Sequence, residues 1–172
     1  MKRSLQIVVF SILMLSSYKA FGTAQFPDSL IYQEETHPIY TNPLESYFNK
    51  NNPKPADIFR FSCTACWRGY IATWRIVDKH LYLIKLVEGT CQSDAKEIPL
   101  SMVFPTQKSP IKATWYSGTI RIPQGKRLQY VHMGYESIYE KDLFLKIEKG
   151  KMIEEYVVDN VDKLLHEQKE RP

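Results

Sequence analysis

Trp67-Arg68-Gly69-Tyr70-Ile71-Ala72-Thr73-Trp74-Arg75-Ile76-Val77, then Asp78-Lys79-His80, then Leu81-Tyr82-Leu83-Ile84-Lys85-Leu86-Val87 is the stretch that sets the fold class. Both outer runs are rich in aromatic and β-branched residues, which suit a pleated, half-buried surface. Three polar residues separate them, so they read as two strands of a hairpin. Side chains alternate faces along a strand. Tyr70, Ala72, Trp74 and Ile76 therefore share one face, and Trp67, Gly69, Ile71 and Thr73 the other. Apolar bulk on both faces predicts a central strand covered on two sides. Arg68 lies on the Trp74 face, where a cation needs a partner.

The same pattern continues outward. Short apolar or aromatic runs at Ile58–Phe61, Ile98–Phe104, Ala113–Ile122, Leu128–Met133, Asp142–Glu148 and Lys151–Val158 are further strand candidates. Pro105, Pro110, Pro123 and Gly125 punctuate them. Glu148-Lys149-Gly150-Lys151 predicts a second tight reversal. Val161, Leu164 and Leu165 recur at helical spacing among charges, so 160–170 reads as an amphipathic helix. The expectation is one antiparallel β domain of seven to nine strands, sandwich or barrel-like, over 56–172, with that helix at its end. Residues 25–55 hold Pro27, Pro38, Pro43, Pro53 and Pro55 and read as an extended arm. Within it, Leu30-Ile31-Tyr32 could pair at an edge and Leu44–Asn49 could form one helical turn.

The first 24 residues have a different character. Lys2 and Arg3 precede an apolar run from Leu5 to Leu15, and Gly22-Thr23-Ala24 offers the small side chains that a signal peptidase reads. The run is shorter than the roughly 20 apolar residues that span a bilayer. We expect a signal peptide over 1–24, a mature chain from Gln25, no membrane insertion after cleavage, and a periplasmic or secreted destination. The full chain carries 23 basic and 19 acidic residues, but Lys2, Arg3 and Lys19 fall in the signal, leaving 20 against 19. With Lys126-Arg127 as the densest basic pair, nothing points to nucleic acid, which requires clustered cations.

Three cysteines in an exported chain suggest a disulfide. If Cys63 and Cys66 are extended, their α-carbons stand roughly 10 Å apart, too far for a direct bridge. One of them is then expected to pair with Cys91. The C-x-x-C spacing is that of redox pairs, but those sit at a helix N-terminus, whereas this one leads into a strand. A zinc site of the three cysteines with His80 lacks the second short-spaced pair of zinc ribbons, so no metal is expected. There is no G-x-S-x-G, H-E-x-x-H, Walker, Rossmann or EF-hand pattern, and no cofactor is implied.

Gln129 to Glu140 gathers tyrosines, one histidine and two acids around Gly134. Tyrosine combines a flat apolar surface with a polar tip, so Tyr130, Tyr135 and Tyr139 are candidate contacts for a sugar or peptide, with His132 and Glu136 beside them. His132 could also serve as a general acid or base oriented by Glu136 or Glu140. Arg68 completes the set of candidate ligand-binding residues.

Ser62-Cys63-Thr64-Ala65-Cys66-Trp67-Arg68-Gly69-Tyr70-Ile71-Ala72-Thr73-Trp74, Trp115 to Gly125 and Tyr130 to Leu143 resemble three blocks shared by a group of small bacterial proteins. The resemblance covers about half of the mature chain. It implies a bacterial source and carries no activity, catalytic residue or ligand. Three functions are therefore weighed. The first is a non-catalytic binding module, of the inhibitor or immunity type, capping an envelope or secreted partner. The second is a small-ligand or envelope-glycan binder using Tyr130–Tyr139, and the third a hydrolase using His132.

Overall fold

The computed structural model describes residues 23–131 and 134–162. The chain forms one mostly antiparallel sheet of eight strands: β1 (Asp28–Tyr32), β2 (Glu35–Ile39), β3 (Tyr70–Val77), β4 (His80–Glu88), β5 (Ile111–Lys112), β6 (Gly118–Gln129), β7 (Ile138–Glu148) and β8 (Lys151–Asp159). Their order is β2-β1-β3-β4-β8-β7-β6, with β5 added on β4. The two ends of the order approach each other: the Tyr40 N–H donates to Arg121 O at 3.1 Å. No ladder follows, so the sheet curls without closing into a barrel. The β4–β8 joint is equally slight, resting on His80 opposite Lys151.

Two-residue turns make the hairpins. Gln33-Glu34, Asp78-Lys79 and Lys149-Gly150 all have positive φ, the geometry whose twist matches the flanking strands. The predicted β3–β4 and β7–β8 hairpins are both present, in register from Val77 opposite His80 and from Glu148 opposite Lys151. Inward residues from both halves of the sheet meet in one core. Leu30, Trp74, Leu83 and Leu86 face Ile120, Ile122, Leu143 and Leu145, all buried. Each such side chain withdrawn from water contributes about 1.5–3 kcal/mol.

Several expectations are corrected. β1 runs parallel to β3, Leu30 opposite Trp74, so the sheet is not wholly antiparallel. The segment read as an arm is an integral part of the sheet: β1 and β2 lie in it, and Leu30, Ile39 and Leu44 are core residues. Pro38 is tolerated because β2 is an edge strand. Pro43–Tyr47 makes the expected helical turn, a 3-10 helix. The run Ile98–Phe104 is not a strand but holds a helix, Leu100–Val103, whose start is fixed by Pro99. Residues 58–61 form no strand, running from a turn at Ile58 through a bend at Phe59 into irregular chain. β3 begins at Tyr70 rather than Trp67, because Gly69 at φ 77° reverses the chain there. Tyr70, Ala72 and Trp74 are buried while Ile71 and Thr73 on the other face are only half-buried, so the strand is not covered on both sides. At the C-terminus Asn160–Asp162 makes one short helical turn. The remainder of the predicted helix, 163–170, lies outside the described residues.

Candidate functional site

Arg68 owes its position to Gly69. A Cβ at residue 69 would stand 2.7 Å from Phe59 C and 2.9 Å from Arg60 O, so only glycine lets these backbones pass so closely. The turn sends the Arg68 side chain inward, where 6% of it is exposed. Its Nη2 donates to Asp28 Oδ1 at 2.8 Å and to Phe26 O at 2.7 Å, and the guanidinium lies 5.5 Å from the centre of the Tyr70 ring. Asp28 is wholly buried and also accepts the Ala72 N–H at 3.0 Å and the Trp74 Nε1–H at 3.1 Å. Burial pushes the Asp28 carboxyl above the usual range, against the opposing pull of Arg68 and these donors. Arg68 Nε has no hydrogen-bond partner among the described residues. The partner that this cation needs is therefore Asp28, and the pair ties β1 to the start of β3.

The Tyr130–Tyr139 segment is organised from beneath by Arg121, on β6. Its Nη1 donates to Tyr135 O at 2.6 Å and its Nη2 to Ser137 O at 2.8 Å. The same guanidinium grips Asp142 with two bonds, Nε–Oδ1 at 2.8 Å and Nη2–Oδ2 at 3.0 Å. Asn160 Nδ2 adds a bond to Asp142 Oδ2 at 2.8 Å. Tyr135 stacks on Tyr40 with ring centres 5.1 Å apart, and its hydroxyl donates to Asn42 Oδ1 at 3.0 Å. The Tyr139 and Tyr40 hydroxyls share a hydrogen bond of 2.8 Å. Burial and the Tyr139 hydroxyl push the Tyr40 phenol up to about 12. Tyr135 and Tyr139 thus hold the loop against Tyr40 and Asn42, just after β2. Tyr130, 49% exposed with the Arg127 guanidinium 4.9 Å from its ring centre, and exposed Glu136 remain at the surface. His132 lies outside the described residues. Of the five described candidates, Arg68 and Tyr135 meet at Phe26 O, to which the Arg68 Nη2 donates at 2.7 Å and the Tyr135 hydroxyl at 3.2 Å, and Tyr139 joins them through Tyr40.

A different surface does concentrate exposed chemistry. Phe61 and Trp67 are 61% and 70% exposed, with ring centres 5.7 Å apart. The loop that carries them is tied down at several points. Cys63 is bonded to Cys91, with α-carbons 5.5 Å apart. The Phe26 N–H donates to Ala65 O at 2.7 Å, and the Gln25 side chain bridges the Trp67 N–H at 3.0 Å and Thr64 O at 2.9 Å. Cys63 and Cys66 lie in a turn, the Cys66 N–H donating to Cys63 O at 3.0 Å, so the extended geometry expected for them is corrected. Cys66 is the free thiol. It is buried, donates to Tyr70 O at 3.0 Å, and burial pushes its pKa up, the opposite of an activated redox cysteine. The bridge consumes two of the three thiols a zinc site would need.

Arg60 and Ser62, on either side of Phe61, also line a cleft of about 420 Å³. Asp57, Glu88 and Glu97 bring three carboxylates to it, and Met102 contributes apolar surface. Sequence reasoning placed Trp67 inside the sheet and had no signal for the cleft, whose walls come from the chain around Asp57–Gly69, the end of β4 with the loop after it, and the segment that enters the Leu100–Val103 helix. Asp28, Arg121 and Asp142 were missed for the same reason, since their partners are distant in sequence. No protein-family model, curated protein or solved structure matches the chain.

Proposed function

We propose that this chain is an exported bacterial binding module that caps a partner protein with its Phe61–Trp67 face. The observation that carries the reading is a pair of large aromatic rings left in water on a loop that is nevertheless fixed. Exposed tryptophan on a rigid frame is the composition of an interface hot spot, because the ring buries a large apolar area while losing little freedom. The disulfide belongs in an oxidising compartment outside the cytosol, and the residues of the 1–24 segment supply a route there.

A second reading is a small-ligand or envelope-glycan binder, favoured by the adjoining cleft. Three carboxylates could accept from sugar hydroxyls there while Trp67 or Phe61 offers a stacking face. The two are separated by capturing the tagged mature protein from its own cell envelope and weighing the eluate by native mass spectrometry. Capping predicts a stoichiometric protein partner that Trp67→Ala no longer retains. A partner held equally well by Trp67→Ala rejects the aromatic face, and a lone chain with saccharide mass supports the cleft.

A further inference from the structure

We propose that Phe48, Phe59, Tyr70 and Glu45 form a binding site for an alkylammonium ion, which the chain keeps filled with its own Lys54. Lys54 Nζ lies 5.0 Å from the centre of the Tyr70 ring, 5.7 Å from that of Phe59 and 5.8 Å from that of Phe48. On the remaining side it meets Glu45 Oε1 at 2.7 Å. Three ring faces and a carboxylate around one nitrogen make an aromatic cage, the arrangement that recognises organic ammonium ions through the ring quadrupole.

The cage is built without help from its occupant. Tyr70 and Phe59 belong to the core, their ring centres 4.9 Å apart, and Phe48 braces Phe59 edge-on at 5.7 Å. The Tyr70 hydroxyl donates to the same Glu45 Oε1 at 2.7 Å and so fixes the carboxylate. The site also opens to water, since 27% of the Lys54 side chain and 43% of that of Glu45 are exposed. Lys54 is carried between Pro53 and Pro55, neither of which has a backbone N–H to offer. Its ammonium adds a side-chain fastening to a strap whose Pro55 O accepts the Phe59 N–H at 3.0 Å. The chain leaving the strap supplies Asp57, Ile58 and Arg60 to the cleft, so occupancy of the cage bears on one cleft wall.

The test empties the cage and offers a substitute. Lys54→Ala is melted with and without butylammonium, against butan-1-ol as the neutral analogue and sodium chloride at equal ionic strength. Butylammonium is expected to raise the melting temperature of Lys54→Ala in the millimolar range, and neither control should. Wild type should respond less over that range, because a tethered lysine competes at a millimolar effective concentration. Adding Glu45→Gln to Lys54→Ala should abolish the response. If Lys54→Ala does not fold alone, recovery of the folded spectrum on adding butylammonium becomes the readout. In wild type, the Lys54 ε-methylene protons should resonate upfield of the other lysines, shielded by the three rings. No rescue, rescue by butan-1-ol as well, or an equal response of wild type would overturn the proposal.

Discussion

Arg68 and Asp28 place opposite charges in the interior at 2.8 Å, and removing one strands the other. Breaking a buried pair in this way costs about 3–5 kcal/mol. Arg68→Ala should therefore lower the unfolding free energy in urea by that amount, and restoring charge balance with Asp28→Asn should recover part of it. Trp67 and Trp74 make the contrasting case on the exposed and buried sides of Gly69. Trp74→Ala should cost about 3–5 kcal/mol as a core deletion, whereas Trp67→Ala should stay within about 0.5 kcal/mol, as surface changes do. Equal losses for the two would mean that Trp67 is structural. The need of Arg68 for a partner was legible from its place beside an apolar strand. That the partner is Asp28, 40 residues earlier, was not, because a long-range pair leaves no local pattern. Trp67 was misplaced because alternation was carried through Gly69, whose positive φ ends the strand.

The hairpins were the most legible elements, since both strand runs and polar turns are local signals. The turns themselves hold an unused reserve of stability. Asp78 and Lys79 sit at φ 48° and 62°, a conformation that disfavours residues with a Cβ. Lys79→Gly should stabilise the β3–β4 hairpin by about 1 kcal/mol, measured as a higher urea midpoint with unchanged slope. The Cys63–Cys91 bridge closes a loop of sequence separation 28. Constraining a loop of that length in the unfolded chain is worth about 3–4 kcal/mol, so Cys63→Ser with Cys91→Ser should lose that much. The partner of Cys91 was left open by sequence, because either thiol could reach it. The stretch Ile98–Phe104 was misread for a plainer reason. Four apolar residues flanked by Pro99 and Pro105 fit a strand or a helical turn equally, and only packing of Val103 and Phe104 into the core decides.

At the scale of the whole molecule, the fold buries tyrosines from both halves of the sheet, and this sets its alkaline limit. A phenol ionises near pH 10 in an unfolded chain, but burial pushes Tyr116 up to about 12, and Tyr40 likewise with help from Tyr139. The unfolded state thus sheds these protons first. Stability is intact below about pH 10 and falls as pH rises towards 12. Urea midpoints should drop across that window, and Tyr116→Phe should flatten the drop. The sheet itself was legible as a class but not in its ordering. The parallel β1–β3 pair joins segments separated by more than 40 residues, through contacts that local periodicity does not encode. Phe61 and Trp67 are the most exposed of the large apolar side chains among the described residues, on a loop pinned to the sheet, and capping through that pair is the central claim. The most direct test is a photo-cross-linking residue at position 67, with a matched probe at exposed Lys146 on the opposite half of the sheet, irradiated in intact cells. The account predicts one protein adduct from position 67 and none from 146. Absence of any adduct at 67, or the same adduct from both positions, would contradict it.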